Sequence, residues 1–126
     1  MKRVKQIMVL VGLLFMAIPL IHAQNNKVAL SLYKKLGYKV SIPKFQESEG
    51  ISLENMTKIA NSYRLNHDTE NAEFWYSNVV KQSKNAEDLL YYAQALQSNE
   101  KYDLAKEYYL KYNLSLIHIS EPTRPY

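Results

Sequence analysis

Between Ser52 and Asn113 the apolar and small residues fall into two successive runs that carry the same residue classes in the same order. Met56, Ile59, Ala60 and Tyr63 are followed by Ala72, Tyr76 and Val79; Leu89, Tyr92, Ala93 and Leu96 are followed by Ala105, Tyr109 and Tyr112, and every member is displaced by 33 positions. In each run the first four stand at i, i+3, i+4 and i+7 and the last three at i, i+4 and i+7, the spacing that lines up one face of an α-helix. Each run therefore predicts a helical hairpin. No stretch alternates with period two over any length, so the fold class is all-α: tandem helical hairpins stacked as an α-solenoid, each burying its surface mainly against its neighbours.

Start and stop signals place the elements. Ser52 is an N-cap for a helix to about Leu65, because its hydroxyl can accept from a free backbone N–H of the first turn. Asn66-His67-Asp68 reverses the chain, and Asp68 or Thr69 caps the partner helix, with Glu70 and Glu73 near its positive end and Lys81 and Lys84 at its negative end. Asn85 caps the next helix, Asn99-Glu100-Lys101 makes the turn, and Tyr102–Asn113 forms the helix after it. These signals give one repeat at residues 51–84 and another at 85–113. Residues 24–50 form a degenerate hairpin: Val28, Ala29 and Leu32 keep helical spacing, the chain stops near Gly37, and Ser41 and Phe45 stand where Ala72/Tyr76 and Ala105/Tyr109 stand later. Pro43 weakens its second helix unless it falls in the first turn.

Two ends stand apart from this pattern. Met1–Ala23 has a basic start, an apolar run from Ile7 to Ile21 and a small residue before polar Gln24, which reads as a secretory signal peptide. The competing reading is a membrane anchor, but a span needs roughly 20 apolar residues and this run is shorter. Cleavage leaves a mature chain that starts at Gln24 and does not insert in a membrane. Leu114–Tyr126 reads LSLIHISEPTRPY. Its prolines and apolar pattern do not continue the register before it, and it resembles the translation of a transposase adapter used in sequencing libraries. It is set aside as non-native, and the gene is expected to continue past Asn113, because the preceding helix is apolar on more of its circumference than one partner can cover.

Charge and chemistry change the picture by subtraction. The chain's net charge of +4 lies mostly in the amino-terminal segment; Gln24–Asn113 carries 12 Lys and Arg against 11 Asp and Glu. So even a balance provides no electrostatic footprint for nucleic acid and no basic stripe for a membrane surface. With no cysteine, disulfides and thiolate metal sites are excluded. No phosphate loop, paired-histidine or Ser/His/Asp pattern is present, and His67, in a turn, is the single histidine of that stretch, so catalysis, cofactors and metals are not expected. Glu87 and Asp88 are helix neighbours about 100° apart, which suits them to the helix N-terminus rather than to an acid/base pair. Trp75 with Phe74 and Tyr76 could be a sugar-stacking platform, but consecutive helical residues do not share a face, which favours Tyr76 in the core and Trp75 partly exposed.

The pairing of Ala60 with Ala72 and Tyr76, and of Ala93 with Ala105 and Tyr109, resembles the tetratricopeptide repeat, TPR. In that repeat a small residue on the first helix meets an alanine early on the second, and an aromatic lies four residues later. Close approach is the physical reason: two helices pack tightly only where no side chain larger than alanine lies at the crossing. Tyr92 in place of leucine, Lys84 in place of a closing proline and the period of 33 are departures from the family pattern. The resemblance implies a protein–protein interaction module whose groove is lined by Thr57, Asn61 and Arg64 on one first helix and Leu90, Gln94 and Gln97 on the next. The lining is a neutral mixture of amides, one cation and one apolar residue, and because Thr57 stands where carboxylate-clamping repeats offer a cation, carboxylate capture is not expected even though Asn61 matches. The export signal, the Tyr-x-x-Ser-Ile-Pro-x-Phe hairpin and the tyrosine-rich repeats are in turn similar to the amino-terminal region of OmpA-family envelope proteins. That resemblance implies a periplasmic or outer-membrane location, a protein or peptide partner in the envelope, and contact with peptidoglycan only through a domain beyond Asn113. The competing class is a structural spacer for that domain with no peptide-binding role.

Overall fold

The computed structural model describes residues 1–47 and 51–120, in which six helices follow one another without a strand: α1 Lys2–Lys34, α2 Tyr38–Gln46, α3 Leu53–Leu65, α4 Thr69–Val79, α5 Ala86–Ser98 and α6 Tyr102–Ser120. They form two compact units, Met1–Ile51 with the α1/α2 hairpin and Ser52–Tyr126 with the hairpins α3/α4 and α5/α6. Within the second unit α4 also packs on α5, which stacks one hairpin on the next.

The caps explain where these helices begin. Ser52 Oγ accepts from the Asn55 N–H at 3.2 Å, Asp68 Oδ1 from the Asn71 N–H at 3.2 Å, and Asn85 Oδ1 from the Glu87 N–H at 3.1 Å. Each satisfies an orphan donor of a first turn, worth about 1 kcal/mol. The hairpin turns share one backbone solution. Leu36, His67 and Glu100 are left-handed, with φ of 64°, 60° and 62°. The next residue, Gly37, Asp68 or Lys101, returns its N–H to the carbonyl five residues back, on Leu32, Tyr63 or Leu96, at 2.9, 3.0 and 2.9 Å. That is a Schellman closure, and it takes up carbonyls the helix end leaves free. Gly37 is not the left-handed residue. Its φ is −81°, and its glycine suits a close approach instead, since a Cβ there would lie 3.2 Å from the Leu32 carbonyl oxygen.

The core of the second unit follows from the small residues. Ala60, Ala72, Ala93 and Ala105 are all buried, and Tyr76, Val79 and Leu96, without solvent exposure, share one cluster with Ala60, Ala72 and Ala105. Full burial of a large apolar side chain stabilises by about 1.5–3 kcal/mol, so these contacts outweigh any single polar interaction in the unit. Tyr92, in place of a leucine, sets its ring edge-on to Tyr108 at 4.5 Å between centroids. In the first unit Ala29, Ser41 and Phe45 are the corresponding buried residues.

Pro43 lies past the first turn of α2, inside the helix, where the sequence reading expects it to weaken the helix, and α2 stops three residues later at Gln46. Two boundaries differ from the sequence expectation. Lys81 and Lys84 follow α4 instead of occupying its last turn, because the helix ends at Val79 and Ser83 stitches the connection: its hydroxyl accepts from the Asn85 N–H and donates to Asp88. Helix α6 runs seven residues beyond Asn113, to Ser120. No glycine or proline interrupts residues 114–120, so the backbone ladder propagates, with Leu114, Leu116 and Ile117 left exposed. Pro122 and Pro125 lie outside the described residues. Helix α1 crosses the expected cleavage point at Ala23 without a break; by length and composition it could cross a membrane, a test that an amino-terminal signal sequence also passes.

Candidate functional site

Helices α3 and α5 are the first helices of the two stacked hairpins, and a face of each carries the polar residues expected to line a groove. On α3, Thr57, Asn61 and Arg64 are half-buried and stand at i, i+4 and i+7. Thr57 turns its hydroxyl back to the Leu53 carbonyl at 2.9 Å. Asn61 and Arg64 are brought together: Asn61 Oδ1 accepts from the Tyr76 hydroxyl at 2.5 Å and from Arg64 Nη2 at 3.3 Å, and Arg64 Nε donates to the Tyr76 oxygen at 3.3 Å. The Arg64 guanidinium lies 4.0 Å from the centroid of the Tyr91 ring on α5, and that ring lies 6.0 Å from Tyr76. One cation thus ties α3, α4 and α5 together.

Burial pushes the Tyr76 phenol above its ordinary range; the hydrogen bond and charge of Arg64 oppose this, while Asp88 and Tyr91 add to it. The phenol stays neutral and remains a donor to Asn61. On α5 the arrangement is more open. Leu90 is half-buried, Gln94 and Gln97 are exposed, and Gln97 Oε1 accepts from the Tyr109 hydroxyl at 2.7 Å. Among the described residues Gln94 makes no side-chain hydrogen bond, so Leu90 and Gln94 are the two groove positions with no internal commitment. The groups that face outward are amides and an apolar side chain, which can pair with the backbone of an extended segment and hold no charge of their own.

A second polar cluster was not visible in the register. Glu73 on α4 accepts from Asn99 Nδ2 at 2.7 Å and pairs with Lys101 Nζ at 2.6 Å, and Asn99 Nδ2 also donates to the Thr69 carbonyl at 3.0 Å. Burial raises the Glu73 carboxyl, but the hydrogen bonds from Lys101 and Asn99 and the Lys101 charge outweigh it and leave it below the usual carboxylate range. The cluster lies beside an open cleft of about 740 Å³ whose wall includes exposed Phe74. The only sequence signal for it is a pair of opposite charges 28 residues apart. Tyr91 was missed because it stands beside the repeat register, not on it.

The remaining candidates have plain positions. Tyr76 is fully buried, Tyr109 and Trp75 are half-buried, and Phe74 stands perpendicular to Trp75 at 5.7 Å, which gives no flat sugar platform. Glu87 is exposed, whereas Asp88 is buried and takes the Ser83 hydroxyl. His67 is exposed at its left-handed turn. Among the described residues no three His, Cys, Asp or Glu side chains gather as a metal site.

Residues 65–120 match the family described as anaphase-promoting complex, cyclosome, subunit 3. No significant match is found among curated proteins or among solved structures. The match spans the second half of one hairpin and all of the next, where alanine crossings, left-handed turns and tyrosine contacts recur. The chain is an all-α protein of TPR-like helical repeats, a fold class that serves protein–protein interaction.

Proposed function

We propose that this chain is an exported interaction module that holds a peptide or protein segment of the cell envelope along the face shared by α3 and α5. The observation that carries the reading is the join at Arg64. Stacked on Tyr91 and bonded to Tyr76, it links the two first helices, with half-buried Leu90 and exposed Gln94 beside the link. A preset neutral surface of this kind favours an uncharged stretch whose backbone meets the amides. The export signal and the OmpA-family resemblance support an envelope setting, in which contact with peptidoglycan falls to a further domain.

A second reading, a structural spacer, is favoured by the same hydrogen bonds: Asn61, Arg64, Thr57 and Gln97 all spend polar groups inside the fold. The two readings separate at Gln94. A photo-crosslinking side chain placed there should give adducts in cells, while the same group at exposed Lys81 should not; equal yields at both positions would leave the spacer. Intact mass of exported material should begin at Gln24, and retention of Met1 would remove the export part of the proposal.

A further inference from the structure

Cleavage after Ala23 would hand the amino terminus to a glutamine, the residue whose side-chain amide lies within reach of its own α-amine. The structure leaves that residue free to react. Gln24 is exposed and makes no side-chain hydrogen bond among the described residues. From Gln24 onward the first buried side chain is Ala29, so the terminal residue stays outside the packing of α1 on α2 and its amide carbon is open to attack.

The helix sets the state of the amine. Helix α1 runs through the junction without a break, so a terminus at Gln24 lies at the positive end of what remains, residues 24–34. There the helix dipole disfavours an ammonium and favours the neutral amine, which is the nucleophile. Lys27 adds a like charge one turn along, and residues 24–34 contain no acid to offset it. Glu47, which follows α2, is already taken by Lys44 at 2.8 Å.

We propose, resting on the export reading, that Gln24 is a modification site and closes on itself to pyroglutamate once the leader is removed. The amine attacks Cδ of its own side chain: the N–Cδ bond forms, the Cδ–Nε2 bond breaks, and Nε2 takes a proton from the amine and leaves as ammonia. No oxidant, reductant or second substrate enters. The lactam keeps one N–H and carries no charge, so it relieves the repulsion at the helix end. It also closes the chain to aminopeptidases, which require a free α-amine.

The test is mass spectrometry of the full chain exported with its own leader, its free amines labelled before digestion so that a ring formed during handling is not counted. The peptide that begins at residue 24 should be lighter by one ammonia and carry no label at its terminus. Pyroglutamyl peptidase should then remove residue 24 and expose Asn25 to labelling. Gln24→Ala should be cleaved at the same bond, take the label at its terminus, and lose residues to an added aminopeptidase that leaves the parent intact. A labelled Gln24 of unshifted mass overturns the ring while leaving cleavage in place. Retained Met1 overturns cleavage, and the ring with it. Equal trimming of the parent and Gln24→Ala overturns the protection.

Discussion

The hairpins α1/α2 and α3/α4 close on the same backbone turn, yet different chemistry holds each together across it. In all three hairpins a residue three before the left-handed position meets the aromatic nine after it, 12 residues on. In α1/α2 the contact is apolar: the Tyr33 ring stands edge-on to Phe45 at 6.2 Å and to Tyr38 at 5.2 Å. In α3/α4 it is Arg64 to the Tyr76 hydroxyl, and in α5/α6 the Tyr109 hydroxyl to Gln97. The turn and the small residue under the aromatic are what a hairpin of this kind needs, because they set how close the helices come. The group that crosses the seam is free to vary. Where it is polar, hydroxyl and amide groups are carried to the first-helix face, so on the proposed reading the binding surface belongs to α3 and α5.

Removing the aromatic tests that comparison with the largest effect. Tyr76→Ala should cost about 3–5 kcal/mol, as should Phe45→Ala within its own unit, because each vacates a fully buried site. Tyr76→Phe separates packing from bonding: it keeps the ring but strips Asn61 and Arg64 of a partner, for about 1–2 kcal/mol, whereas the hydroxyl-free Phe45 has no such cost to show. Urea midpoints decide it. Because the Tyr76 phenol is raised in the folded chain, its contribution is fully present below the unfolded tyrosine value of about 10 and is lost as pH climbs toward the folded one. The Phe variant should lose less stability than the parent in that alkaline range.

Overpacking the crossing comes next. Ala72→Leu or Ala105→Leu should cost roughly 1–3 kcal/mol, since both alanines are buried where two helices meet. Midpoints equal to the parent's would mean that the helices separate at no cost and that the small residue is not what sets their distance.

The link between hairpins is smaller again. Glu73→Gln removes the charge that Lys101 pairs with while keeping an acceptor for Asn99, and should cost about 0.5–1 kcal/mol near neutral pH. Its carboxyl is lowered in the folded chain, so the contribution is present above the unfolded value of about 4.3 and fades as pH falls through the folded one. The difference between variant and parent should vanish in acid, and a gap that persists at low pH would point to packing instead of charge.

How far the sequence carried this picture depends on what kind of signal each feature leaves. The paired alanines and tyrosines were legible because they recur at one spacing, and Ser52, Asp68 and Asn85 because a short polar side chain before an apolar-periodic stretch is a helix start. The degenerate hairpin was legible only in part: from Leu36 to His67 the step is 31 residues, not 33, so Ala29 drops out of the register that pairs Ala60 with Ala93. Contacts such as Arg64 with Tyr91, or Glu73 with Asn99, join elements far apart in sequence and obey no period. The length of α6 was misread because the apolar pattern ends at Asn113 while the backbone ladder does not.

The finest test concerns the turn that all three hairpins share. Leucine, histidine and glutamate in the left-handed region each carry a steric cost between Cβ and the following carbonyl of about 1–2 kcal/mol, which glycine avoids. Glycine also adds freedom to the unfolded chain, which returns part of that gain. Leu36, His67 and Glu100 are all exposed, so removing their side chains forfeits little packing. Leu36→Gly, His67→Gly and Glu100→Gly should therefore each stabilise by about 0.5–1 kcal/mol, least at His67 because histidine tolerates this region better than most residues. Gains in urea midpoint at all three positions would establish one turn with one energetic cost, in the apolar hairpin as in the polar ones. A loss at Leu36 alone would show that its side chain holds the α1/α2 turn by contacts the other two do not make, and the hairpins would then differ at the turn as well as across the seam.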